Sequence, residues 1–279
     1  MDETLTTIRP DRAWFDWRIG EIWRYRDLIR LLVWRDFVSV YRQTILGPAW
    51  HLIRPLLTSG VFTVVFGAIA GLSTEGVPPF LFYLCGTVAW TYFASCLDQT
   101  ARTFVGHAHL LGKVYFHRLV IPVSIVIANL VSMAIQIGIL VIAWVYYFAT
   151  GAPVHVTPWI LLVPFLVLML AAYALGFGII VCALTTRYRD LAYAVTFFTQ
   201  LAMYMTPVIY PLSAVPERFR PIAALNPLTP VLEAFRLAFL GVGTIQPLQL
   251  GISVAVMVAV LVVGMTLFTQ VERTFLDTV

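Results

Sequence analysis

The stretch LVIPVSIVIANLVSMAIQIGILVIAWVYYFATGAPVHVTPWILLVPFLVLMLAAYALGFGIIVCALTT, Leu119 to Thr186, runs for 68 residues without an Asp, Glu, Lys or Arg. A charge at the centre of a membrane helix costs about 2.5–3.5 kcal/mol on the insertion scale, and a spanning helix needs about 20 residues. The run is therefore long enough for two crossings, with Thr150-Gly151-Ala152-Pro153 as the turn between them. Working outward, further uncharged runs cover Pro55–Thr74, Gly76–Leu97, Leu191–Pro216 and Leu237–Val271. Together they predict six spans, near 53–72, 80–98, 119–149, 158–184, 191–211 and 249–270. Composition agrees: 60% of residues are hydrophobic, 11% are charged and the mean hydropathy is +0.88. A soluble globular protein is roughly half apolar and about a quarter charged. The chain reads as an all-α, polytopic membrane protein.

The basic residues orient it. Nine Lys and Arg precede the first span, through Arg54; Arg102, Lys113 and Arg118 follow the second, Arg187 and Arg189 the fourth, and Arg273 the last. Only Arg218, Arg220 and Arg236 fall in the opposite loops. Cytoplasmic loops collect Lys and Arg, so both termini are expected in the cytoplasm. The pI of 9.1 reflects this bias and points to anionic lipid, not nucleic acid. Asp2 and Glu3 open the chain and no early apolar run follows, so no signal peptide is expected. Cys85, Cys96 and Cys182 all lie within spans and read as small apolar packing residues, with no disulfide framework.

Three regions stand out between the spans. In IWRYRDLIRLL, residues 22–32, Ile22, Tyr25, Leu28, Ile29 and Leu32 share one arc of a helix and Arg24, Arg26, Asp27 and Arg30 fall opposite. With Trp14, Trp17 and Trp23 nearby, this amphipathic helix is expected along the cytoplasmic interface. Gly47-Pro48 then breaks the helix before the first span, where Arg42 and Arg54 can snorkel toward headgroups. Between spans five and six, residues 212–248 are too apolar for a plain loop. Pro216, Pro221, Pro227 and Pro230 forbid one continuous helix. Two short helices re-entering the outer leaflet are expected. A seventh span through Val231–Gly243 is rejected, because it is short and would bury Glu233 and Arg236. The expected organisation is a cytoplasmic region 1–51, a transmembrane domain 52–271 and a cytoplasmic tail 272–279.

Chemistry that could drive transport or catalysis is missing. Proton-coupled carriers place carboxylates or histidines inside spans, and here Asp98 marks only a span end. GHAHLLGKV, Gly106 to Val114, spaces its glycines one residue too far apart for a phosphate loop and has Val114 where the magnesium-binding hydroxyl belongs. His107, His109 and His117 have no acidic or thiolate partner nearby, so no metal site is expected. No nucleophile–base pair is present. Energy has to come from another subunit.

The motifs name a family. Arg35-Asp36 with Tyr41-Arg42-Gln43-Thr44, Leu46-Gly47 and Trp50 comes first, then Lys113-Val114-Tyr115-Phe116 with Arg118-Leu119-Val120 and Pro122. Arg187-Tyr188-Arg189-Asp190-Leu191, Thr206-Pro207-Val208-Ile209-Tyr210-Pro211 and Leu225-Asn226-Pro227-Leu228 follow in order. Together they resemble the permease subunit of type-2 ABC exporters for polysaccharides, closest to the O-antigen and teichoic acid branch. The likeness extends from about residue 30 to Glu272-Arg273-Thr274-Phe275, and His117 departs from it where the family often has proline. The resemblance implies a homodimer in a bacterial inner membrane above two cytosolic ATPase subunits, which bind the ATP and magnesium; this chain binds no cofactor. It implies as substrate a polysaccharide on undecaprenyl diphosphate, with teichoic acid, capsule or another lipid or drug as the alternative. It also implies that Arg187, Tyr188, Arg189 and Asp190 form a coupling helix that docks on the ATPase. Lys113, Tyr115, Phe116, His117 and Arg118 are then the second contact.

A glycan path would need rings for sugar C–H faces and polar tips for hydroxyls. Tyr193, Phe197, Gln200 and Tyr204 recur at i, i+4, i+7 and i+11, one stripe of a helix, and Trp90, Tyr92 and Phe93 sit near the middle of span two. The stripe serves either as this lining or as a packing seam. The subunit seam is expected to use spans one and five, with Ala171, Ala172, Ala174, Gly176 and Gly178 permitting close helix approach in span four.

Overall fold

A computed structural model describes residues 19–41, 47–103, 117–188 and 190–276. Every regular element among them is helical. Helix α1 (Ile19–Arg24) and α2 (Arg26–Tyr41) precede the tight turn Gly47–Ala49, where Gly47 adopts a φ of +45° at the expected break. Helix α3 (Trp50–Phe62) continues as a π-helical stretch, Thr63–Ile69. Then come α4 (Pro79–Ala101), α5 (Val120–Ala149), α6 (Val163–Arg187, entered through the turn Pro158–Leu162) and α7 (Leu191–Met205). Helices α8 (Arg220–Leu225), α9 (Thr229–Leu240) and α10 (Pro247–Leu276) complete the chain.

Five stretches are long and apolar enough to cross a membrane: Trp50–Ile69, Pro79–Ala101, Val120–Ala149, Pro158–Thr185 and Pro247–Gln270. They match five of the six expected spans. The expected fifth, 191–211, is a helix only to Met205, 15 residues long. Beyond it Thr206–Pro211 is non-helical and largely buried, and the carbonyls of Thr206, Val208, Tyr210 and Pro211 accept hydrogen bonds from within the protein.

Helix α4 is the axis of the bundle. Most of its residues are buried, against α3, α5, α6, α7 and α9. Small residues allow this crowding. A Cβ on Gly178 would come 2.6 Å from Thr100 Cβ on α4, and one on Gly176 would come 2.8 Å from Val260 Cγ1 on α10. These two glycines of the small-residue run in span four therefore set the spacing of α6 against two neighbours. At one end of the bundle Leu32, Leu119, Ile121, Ile179, Cys182 and Phe268 form a common cluster, with Ile22, Tyr25, Leu28 and Ile29 packed on it. This places the start of α5 and the ends of α6 and α10 together, under α1 and α2.

The amphipathic helix differs from expectation in two ways. It is split at Tyr25, and its apolar arc rests on the bundle, not on lipid alone. The ends of three spans offer a greasy platform that sequence periodicity cannot reveal. Trp23 and Trp34 remain exposed and are free to anchor it.

At the opposite end, 206–246 is knitted by polar contacts. Asn226 Nδ2 donates to Thr206 Oγ1 (2.7 Å), and Thr206 Oγ1 donates to the Ala202 carbonyl (2.7 Å). Asn226 Oδ1 also accepts the Leu228 amide (3.0 Å), which starts α9, and Ser253 Oγ donates to the Pro227 carbonyl (2.6 Å). The two motifs thus hold each other. Two short helices stand here, as the prolines require. Glu233 and Arg236, however, are buried, with 3% and 1% of their side chains exposed. The burial cost held against a seventh span is corrected: burial is tolerated because both Arg236 Nη atoms and both Glu233 oxygens find partners, with only Arg236 Nε unmatched among the described residues. At 12 residues α9 is roughly 18 Å long, so the length argument stands.

Candidate functional site

Two spans carry polar ladders. On α4, Thr91, Ser95 and Gln99 recur at i, i+4 and i+8; on α5, Asn129, Ser132 and Gln136 recur at i, i+3 and i+7. Each set falls on one helix face. The ladders line a hollow of 430 Å³, closed on its other side by Trp50, His51, Arg54 and Pro55 of α3. Arg54, Ser95 and Gln99 also line a second hollow of 590 Å³, walled by Trp90, Thr196, Thr199, Gln200 and Tyr204. The two hollows meet at Arg54, Ser95 and Gln99 and together outline a groove with a polar stripe between α3, α4, α5 and α7.

Its hydrogen bonds are specific. Gln99 and Asn129 exchange amide bonds, Asn129 Nδ2 to Gln99 Oε1 at 3.1 Å and Gln99 Nε2 to Asn129 Oδ1 at 3.4 Å, and Asn129 Nδ2 also donates to the Ile125 carbonyl at 2.9 Å. Asp98, in the last turn of α4, accepts from Thr196 Oγ1 at 2.5 Å. Arg102 Nη2 donates to Thr196 Oγ1 at 2.7 Å and to the Ala192 carbonyl at 3.3 Å, and Arg102 Nε lies 3.4 Å from Asp98 Oδ2. This clasp ties α4 to the first two turns of α7. Thr185 Oγ1 donates to the Ala101 carbonyl at 3.0 Å, which ties α4 to the end of α6 as well. The turn from α6 to α7 is thereby fastened to the bundle axis.

The expected lining residues divide. Gln200 and Tyr204 face the groove. Tyr193 and Phe197 lie on the exposed side of α7, 79% and 58% accessible. Trp90 and Tyr92 are buried but reach the groove walls, and the Tyr92 hydroxyl donates to the Val126 carbonyl at 3.4 Å. Phe93 packs in the core, its ring centroid 5.4 Å from that of Trp90.

Of the expected coupling residues, Lys113, Tyr115, Phe116 and Arg189 lie outside the described residues. His117 and buried Arg118 lead into α5, where the Leu119 amide donates to His117 Nδ1 at 3.4 Å. Arg187 ends α6, Tyr188 is exposed, and Asp190 immediately precedes α7 without a side-chain capping bond. Leu119 and Cys182 share one cluster, so the start of α5, next to His117 and Arg118, and the end of α6, next to Arg187, lie at the same end.

Residues 27–240 match the family described as ABC-2 type transporter. The chain belongs to this family. ABC-2 proteins of this kind are the membrane subunits of transporters whose ATPase is a separate subunit. This ABC-2 permease is 26% identical over 251 residues to "O-antigen export system permease protein RfbA" of Klebsiella pneumoniae, covering 90% of this chain and 94% of that one. It is 27% identical to the protein of the same name from Myxococcus xanthus, over 79% of this chain and 83% of that one. It is 24% identical to "Inner membrane transport permease YadH" of Escherichia coli K12, over 75% and 80% of the two chains.

Sequence reasoning missed both polar ladders of this permease. The signal was present: amides and hydroxyls spaced by three and four residues inside apolar spans define a face. Aromatic residues drew the attention instead, although in spans two and three the polar positions make up most of the groove wall.

Proposed function

We propose that this chain is the permease of an ATP-driven exporter that moves an undecaprenyl-diphosphate-linked polysaccharide across a bacterial inner membrane. The observation that carries the reading is the wall of the groove. Amides, hydroxyls and ring tips at membrane depth suit a polyhydroxylated chain, whereas an apolar substrate gains nothing from them. The names of the Klebsiella and Myxococcus relatives point the same way. The permease acts as a homodimer, with the exposed outer faces of α3 and α7 toward the partner copy, above two ATPase subunits that hold ATP and magnesium. Deleting the gene should abolish the surface glycan, and plasmid-borne wild type should restore it. Single Gln200→Ala and Tyr204→Ala variants should restore less, or shorter, glycan with ATP hydrolysis intact. Full-length glycan from both variants at wild-type amounts would refute the path.

In this reading α7 and the buried non-helical 206–211 together make a sixth crossing. Irregular backbone is tolerated at membrane depth where protein covers it. Residues 212–248 re-enter from outside, and both termini, with regions 1–51 and 272–279, are cytoplasmic. An impermeant thiol reagent should label Glu217→Cys and Gln246→Cys from outside and Thr278→Cys only after the membrane is opened. External labelling of Thr278→Cys would overturn the topology.

A further inference from the structure

Arg54 is exposed in the groove and lines both hollows. Among the described residues Asp98 is the one carboxylate lining either hollow, and Arg102 and Thr196 already engage it. No carboxylate pairs with Arg54 among the described residues. A guanidinium kept at the edge of a low-dielectric region without a counter-ion is unfavourable, and its planar fork matches the oxygens of phosphate. A second group in the groove lacks a partner. Gln136 is 5% exposed and lines the first hollow, and its Oε1 accepts no hydrogen bond. A buried acceptor left unmade is unfavourable, and a donor from a ligand would recover that loss. Gln136 lies seven residues beyond Asn129 on α5, roughly 10 Å farther along the helix. The groove therefore offers a cation at one end and an unfilled hydroxyl acceptor deeper in, with the Gln99–Asn129 amide pair between.

Resting on the exporter reading, we infer that Arg54 and Gln136 bracket a docking site for the lipid–glycan junction. The diphosphate lies on the Arg54 guanidinium, and a hydroxyl of the first sugar donates to Gln136 Oε1. Arg54 reads the lipid anchor; Gln136 reads the sugar.

The test uses the complete transporter, permease with its ATPase, in phosphatidylcholine nanodiscs. The probes are undecaprenyl diphosphate and the same lipid bearing one hexose. Arg54→Gln should weaken both probes by about tenfold or more, since a charge-assisted bond is lost. Arg54→Lys should retain most of the binding. Gln136→Met, similar in volume, should leave the bare lipid unaffected and weaken the hexose-bearing one by about three- to tenfold. Wild-type affinity for both lipids in Arg54→Gln, or for the hexose lipid in Gln136→Met, overturns the site. Displacement of the probes by phosphatidylglycerol or by inorganic diphosphate at matching concentrations also overturns it, since the groove would then read a headgroup phosphate or a free anion and not the junction. The surface-glycan assay separates the two readings: export by wild type with unaltered binding by Arg54→Gln removes the docking site and leaves the exporter standing.

Discussion

Arg236→Met is expected to remove most of the folded permease from the membrane. The Arg236 guanidinium donates to the Val208 carbonyl at 2.5 Å, to the Tyr210 carbonyl at 3.2 Å and to Glu233 Oε1 at 3.2 Å, and lies 4.1 Å from the centre of the Phe82 ring. Glu233 in turn accepts the amides of Leu212 at 3.3 Å and Thr244 at 3.4 Å. One ion pair thus holds the exit of α7, both ends of the segment 212–248 and α4. Gly86 makes room for it, since a Cβ there would fall 2.6 Å from the Val208 oxygen. Removing the arginine leaves a buried carboxylate without its counter-ion and the Val208 and Tyr210 carbonyls without this donor, a loss of about 3–5 kcal/mol for the broken pair. Lysine should not rescue it, because an ammonium lacks the flat fork that reaches several acceptors while stacking on a ring. Glu233→Leu with Arg236→Met should be less harmful than the sum of the single changes, because no lone charge remains. Thermal unfolding in detergent, followed by size exclusion, measures all three. Wild-type resistance to heat in Arg236→Met would show that the pair is idle.

Charge reversal in the turn between α6 and α7, Arg187→Glu with Arg189→Glu, is expected to separate ATP hydrolysis from export. The turn sits where α4, α6 and α7 are fastened together by Thr185, Asp98, Arg102 and Thr196. A push on it is therefore delivered to the groove wall. Like charges brought together at a contact cost several kcal/mol, which lowers docking by well over about tenfold. Export should fall by at least that much, with the permease still in the membrane and the ATPase still turning over. Tyr188 is 52% exposed, and Tyr188→Cys should cross-link to the ATPase if the turn docks there. Normal export by the double variant, or no cross-link from Tyr188→Cys, would leave the turn as a mere membrane anchor.

The sequence by itself determined the class, five of the spans and their approximate ends. Long uncharged runs admit one explanation in water and lipid, and hydrophobicity is additive along a chain. It also located the breaks, because Gly47-Pro48 and the prolines of 216–230 restrict backbone angles locally. The family was legible too, through motifs read in order. Other matters depended on tertiary structure because they are relations between distant segments. Nothing local says that Glu233 and Arg236 will be buried, since the acceptors that permit it, Val208 and Tyr210, lie more than twenty residues away. Nor does periodicity say what an apolar arc will rest on: α2 found the ends of α5, α6 and α10. The groove is the clearest case. Thr91, Ser95 and Gln99 on one helix, and Asn129, Ser132 and Gln136 on another, could each have faced a different neighbour. Only the packing of α4 against α5 turned two polar stripes toward each other and placed Arg54 at their mouth, because which faces meet is decided by side-chain fit across the bundle.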